Sequence, residues 1–136
     1  MTRRFFRAAI ISLALYWLLI CTLTHLPASD LPHVEVNDKI EHFAAFSLLG
    51  FLLNAVLRQV TRRHCDWLTL TIILIYGALD EWLQPLTGRS CEFNDWLADG
   101  AGAAAGVVLC NLARALWLYV LPAAPVRSSE VADKVL

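Results

Sequence analysis

The sequence predicts an all-α membrane protein, four transmembrane helices in one bundle with both termini in the cytoplasm. Three observations point there. Hydrophobic residues make up 58% of the chain and charged residues 17%, against about 45–50% and about 25% in soluble domains, so lipid is the fitting solvent. The apolar residues gather into four runs, 5–26, 42–57, 67–86 and 96–121. Basic and acidic residues are segregated along the chain although the net charge is only −1. A length of 136 residues houses one domain, so any site is built inside one small bundle.

A bilayer core takes about 20 helical residues, with a range of about 17–25. The first, third and fourth runs are long enough, and the second reaches when extended back to Asp38. The first run has the basic start of a signal peptide, but its apolar part exceeds the usual length of about 7–15 residues. Leu26 also spoils a small-x-small cleavage pattern before Ser29, so a retained first helix is expected. Short polar connectors separate the runs. Arg3, Arg4 and Arg7 precede the first helix, Arg58, Arg62 and Arg63 fill the second connector, and Arg114, Arg127 and Lys134 lie at or beyond the inner end of the last. Only Lys39 and Arg89 fall on the other side, which places both termini in the cytoplasm. Nine of the twelve acidic residues then lie toward the outer face.

Residues 1–121 are expected to form the bundle and 122–136 a flexible cytoplasmic tail, because Pro122 and Pro125 end the last helix and little follows that can be buried. No basic patch offers a nucleic-acid surface; the partner that the composition implies is the lipid bilayer. The four cysteines are expected to be free, since topology separates most possible pairs. Trp17, Trp67, Trp82, Trp96 and Trp117 read mainly as interface anchors.

Ionisable groups inside a span cost about 2.5–3.5 kcal/mol each at the helix centre, so each one needs a reason. Here they are grouped. Asp38 and His42 open the second helix, Asp80 and Gln84 end the third, and Asp95 and Asp99 open the fourth, each pair four residues apart and so on one face. Alternating topology brings all three pairs to the outer end. Below Asp95 and Asp99 the same stripe continues as Gly102 and Gly106, which lets a neighbouring helix approach closely; Gly50 and Gly77 are candidates for the same role. Asn37 or Asp38, and Asn94 or Asp95, are candidate N-caps. The two helix N-termini, with Lys39 and Arg89, offer a place for phosphate; the carboxylates and His42 offer a general base or a divalent-cation site. Spacing alone does not choose between these. For Asp38 and Asp95 the bland reading is a cap, for His42 an interfacial histidine bonded to a carbonyl, and for Asp80 an ion pair with Lys39 or Arg89. Glu41, Glu81 and Glu92 are expected to be solvated, with Glu81 kept as a candidate.

The combination Asp38-Lys39-x-x-His42-Phe43, Tyr76-Gly-Ala-Leu-Asp80-Glu81-x-x-Gln84, Gly88-Arg89-Ser90 and Asp95-x-x-x-Asp99-x-x-Gly102 resembles the VanZ-like family over roughly residues 5 to 121. At Leu83 the chain departs from the family pattern, which has a histidine there. The family takes its name from a protein associated with low-level teicoplanin resistance, and the resemblance implies a four-helix module in the bacterial cytoplasmic (inner) membrane with a role at the cell envelope. Carried over by position, it implies Asp38, His42, Asp80, Glu81, Asp95 and Asp99 as catalytic candidates and Lys39, Gln84 and Arg89 as substrate-binding candidates.

Two classes of function follow. In one, an outer-leaflet site binds or modifies a phosphate-bearing lipid, a phospholipid or a lipid-linked cell-wall precursor, as a transferase or hydrolase. In the other, a non-catalytic module alters envelope assembly or access, and the polar cluster is a fold-specifying network. Proton or ion transport is disfavoured, because the intramembrane charges stop near one face. No cofactor or metal is specified at this level.

Overall fold

The computed structural model describes residues 3–26, 37–61 and 65–120. The expected tail, and Arg62 and Arg63 of the second connector, lie outside them. Four α-helices follow in order: α1 (Arg3–Thr24), α2 (Asp38–Val60), α3 (Cys65–Leu83) and α4 (Phe93–Val120), with a short 3-10 turn, Gln84–Thr87, closing α3. Among the described residues there is no strand.

Local chemistry explains the ends. Asn37 caps α2 through its side-chain oxygen, which accepts from the Lys39 N–H at 3.0 Å. Asp38 is therefore inside the helix and not its cap. Pro85 supports the 3-10 turn, where no i→i−4 bond is needed, and Gly88 ends it at φ 79, a left-handed conformation that favours glycine. At α4 the Glu92 carbonyl accepts from Asp95 N–H at 3.0 Å, so α4 starts before Asn94 and Asp95, and neither residue is its cap.

α1, α2 and α4 are long and apolar enough to cross a membrane. α3 has 19 apolar-rich residues but carries three acids within them, Asp66, Asp80 and Glu81, and is not among these. The outer surface is apolar in the way lipid requires: Leu15, Leu18, Trp67, Trp82 and Trp117 are all exposed. Trp17 and Trp96 differ from the expected anchors. Trp17 packs edge-on against Tyr76 with ring centroids 5.2 Å apart, and Trp96 Nε1 donates to the Leu74 carbonyl at 3.0 Å.

α2 is the central helix, packed on α1, α3 and, most extensively, α4. Lipid tails are as apolar as leucine, so this packing is driven by van der Waals fit and interhelical hydrogen bonds more than by escape from water. The α2–α4 seam is built from small residues. A Cβ on Gly50 would stand 2.7 Å from the Ala103 carbonyl oxygen, and one on Gly102 or Gly106 would collide with the carbonyl of Phe43 or Ser47. Gly77 does something else: a Cβ there would meet Asp99 Oδ2 at 3.0 Å, so its absence leaves room for a carboxylate. α1 is fastened by Leu13 and Ile20 in the core and by the Tyr16 hydroxyl, which donates to the Ala45 carbonyl at 3.0 Å.

Fully buried Phe46, Leu49 and Ile73 fill the middle of the bundle and separate two polar ends. One end holds the motif residues. The other holds a network that spacing left unnoticed: Arg58 donates to Asp66 Oδ1 at 2.6 Å and to Asn111, Asn111 donates to Asp66 Oδ2 at 3.2 Å, and Thr69 donates to Asn54 at 3.2 Å. It ties α2, α3 and α4 together where their other ends meet. Cys65 and Cys110 are buried free thiols, and Cys21 and Cys91 are exposed ones.

Candidate functional site

Antiparallel packing places the N-terminal ends of α2 and α4 beside the C-terminal ends of α1 and α3. All nine candidate residues lie at this end of the bundle. The deepest contact is between His42 on α2 and Asp99 on α4, both buried, with Nδ1–H donating to Oδ1 at 2.9 Å. His42 is thus held by a carboxylate from another helix and not by a backbone carbonyl. Its ring stacks on Phe46, with centroids 6.3 Å apart, which limits rotation.

The two expected cations are paired at the rim. Lys39 Nζ donates to Asp95 Oδ1 and to Glu92 Oε2, both at 3.1 Å. Arg89 stands 3.6 Å from Asp38 Oδ1 and also reaches the Leu23 carbonyl at 3.4 Å. Asp38 and His42 share a helix face as their spacing implies, yet they serve different partners: Asp38 is exposed and turned to Arg89, whereas His42 is buried one turn deeper. Neither Asp38 nor Asp95 acts as a cap.

α3 supplies the buried acids. Asp80 is 2% exposed and accepts from the Thr24 hydroxyl at 3.0 Å, with His25 Nδ1 at 3.6 Å. Its ion-pair reading with Lys39 or Arg89 does not hold, since both cations are engaged elsewhere. Thr24, the last residue of α1, and His25, just beyond it, were not among the predicted residues; they lie at the end of an apolar run and read as a boundary. Glu81 is 4% exposed, which overturns its reading as a solvated acid, and its Oε2 accepts the Glu92 backbone N–H at 2.8 Å. That bond satisfies a donor at the start of α4 and anchors the carboxylate. Gln84 is buried, whereas Glu41 is exposed. Glu92 is half paired through Lys39.

Among the described residues, several buried polar atoms here have no hydrogen-bond partner: Asp80 Oδ2, Glu81 Oε1, Gln84 Nε2, Asp99 Oδ2 and the Tyr76 hydroxyl, the last a close neighbour of Asp80. An unsatisfied buried polar group costs about 1–3 kcal/mol, more when charged, so five at one end is a large cost for a purely structural network. Two sets of three side chains bring donor atoms within 4.8 Å of one another, Asp38 with His42 and Asp95, and His42 with Glu81 and Asp99. Chemically the end offers a carboxylate-held imidazole, free carboxylate oxygens and two cations at the mouth.

No curated protein and no solved structure matches the chain significantly. A family model does, and it covers 3–114, a span that takes in both polar ends and the seam between α2 and α4. On that match the chain belongs to the VanZ/LLP1 family.

Proposed function

We propose that this VanZ-family membrane protein binds and modifies a phosphate-bearing lipid, a phospholipid or a lipid-linked cell-wall intermediate, at the outer leaflet of the bacterial inner membrane. Lys39 and Arg89 receive the phosphate by exchanging their present carboxylate partners for it. His42, oriented by Asp99, and Gln84 fix the head group below them. Asp80 Oδ2, buried and without a partner among the described residues, takes the proton of the water or acceptor hydroxyl that attacks phosphorus and returns it to the oxygen released as the old P–O bond breaks, with Asp38, Glu81 and Asp95 shaping the field around it. The buried carboxylate oxygens left unpaired among the described residues are the observation that carries this reading, since a structural network would have its atoms satisfied. A role at the cell envelope belongs to this reading, with teicoplanin resistance as the form of it that the family's name suggests. The test is purified protein in detergent incubated with radiolabelled polyprenyl-phosphate, lipid-linked and phospholipid substrates. Release or transfer of a head group is expected, and a product-free panel with folded protein would overturn the enzyme reading in favour of a non-catalytic envelope module.

The site faces outward in this reading only when all four helices span, with the bundle of 1–121 inserted N-in and C-in and the tail from 122 in the cytoplasm. Trp67 and Trp82 support α3 as the fourth span: both are 73% exposed and they stand near opposite ends of the helix, about 22 Å apart along its axis, as interface anchors on a short span would. Reporter fusions after Arg63 and after Val126 are expected to read cytoplasmic, and fusions near Pro32 and Glu92 external. Inversion at any two of these sites would move the polar end to the inner face.

A further inference from the structure

The buried end carries an imbalance of charge that the lipid-phosphate reading leaves open. Asp80, Glu81, Asp95 and Asp99 are all buried, while the nearby cations are Lys39, committed to Asp95 and Glu92, and Arg89, committed to Asp38 at the rim. A phosphate that passes the rim cations meets four buried carboxylates. Burying unpaired carboxylates is costly, and adding an anion beside them raises the cost.

Resting on that reading of the site and extending it, we propose that His42, Glu81 and Asp99 hold a divalent first-row cation, Zn2+ in the first instance, that neutralises the end and receives the phosphate. Their donor atoms lie within 4.8 Å of one another, and all three side chains are buried. Tetrahedral Zn2+ with bonds of about 2.0–2.2 Å sets its ligand atoms roughly 3.3–3.6 Å apart, so the donors close by roughly 1 Å on binding. The carboxylates are half tied and half free. Asp99 Oδ1 is fixed by His42 and Glu81 Oε2 by the Glu92 N–H, while Asp99 Oδ2 and Glu81 Oε1 have no partner among the described residues. Glu81 has the arrangement of an outer-shell-supported ligand, one oxygen oriented by the protein and the other open, while at His42 and Asp99 the ion would take the place of the Nδ1 proton that now joins them. Gly77 keeps the space beside Asp99 Oδ2 clear. One imidazole with two carboxylates suits Zn2+ or Mn2+ better than Ca2+, and three protein ligands leave a position open for a phosphate oxygen. The alternative set, Asp38 with His42 and Asp95, is poorer, because Asp38 is exposed and both acids already hold cations.

The full-length protein in detergent, stripped with chelator and dialysed against Zn2+ alone, is expected to retain about one ion per chain by elemental analysis and to melt at higher temperature than the stripped form. Glu81→Gln and Asp99→Asn should each lose the ion and the rise in melting temperature, while Glu41→Gln, an exposed acid at the same end, should keep both. Mn2+ titration followed by its paramagnetic spectrum reads the same site without relying on any variant's folding. Wild-type protein that retains no Zn2+ and gives no immobilised Mn2+ signal overturns the proposal, as does Glu81→Gln binding that equals wild type. These measurements contain no lipid, so metal binding without lipid turnover rejects the enzyme reading alone, and turnover insensitive to chelator rejects the metal alone.

Discussion

Asp99→Asn is expected to reduce lipid turnover by about 10²-fold or more while the bundle still inserts, because it removes the charge that orients His42 and keeps the side-chain shape. Asp99 is 1% exposed and its Oδ1 is the hydrogen-bond acceptor of the imidazole at 2.9 Å. An amide oxygen in that place still accepts, so His42 keeps a partner, but the field that holds the ring and the free Oδ2 is gone. Asp80→Asn should act similarly, since its unpaired oxygen is the proposed proton acceptor. The competing outcome is purely structural. Breaking a buried pair costs about 3–5 kcal/mol, which would lower the folded fraction and turnover in step. Melting temperature in detergent, measured beside turnover on the same preparations, separates the two: turnover lost at near wild-type stability supports catalysis, and proportional loss ends it.

What the sequence discloses and what it hides can be traced residue by residue. The helices are legible because hydropathy averages over twenty residues, and their observed bounds differ from the apolar runs mainly where polar residues belong to a helix, as in Asp38–Glu41 of α2. The four-residue spacing correctly brings three polar pairs to one end. It does not assign partners, because spacing fixes a face and not the depth or the neighbour: Asp38 and His42 share a stripe yet one sits at the rim and the other in the interior. Thr24 and His25 escaped notice because a boundary residue next to a connector has no periodic signal. The opposite polar end escaped because Asn54, Thr69 and Asn111 each stand alone in an apolar run and Arg58 and Asp66 read as connector, although Asn54 and Arg58 have the same four-residue spacing that exposed the first cluster. Applied to every polar residue and not only to dense groups, that rule would have found both.

Gly106→Val is the substitution expected to damage the fold most. A Cβ at 106 would collide with the Ser47 carbonyl and approach the Phe51 backbone nitrogen to 2.7 Å. These are main-chain atoms of α2, so no rotamer change relieves the contact and the two helices must part. Overpacking of this kind costs about 1–3 kcal/mol, and the neighbouring close approaches at Gly102 and Gly50 mean that one separation opens three contacts. The damage should also travel. Gly106 lies seven residues beyond Asp99, about 10 Å along a rigid helix, so a displaced α4 carries Asp99 away from His42. Both melting temperature and turnover should therefore fall in Gly106→Val, in contrast to the selective loss expected for Asp99→Asn. Ala104→Val supplies the control, because Ala104 is exposed on the same helix and a larger side chain there meets only lipid. Equal melting temperatures for Gly106→Val and Ala104→Val would mean that α2 and α4 do not meet backbone to backbone. The polar end, which depends on that meeting for the His42–Asp99 contact, would then lose its geometric basis as well.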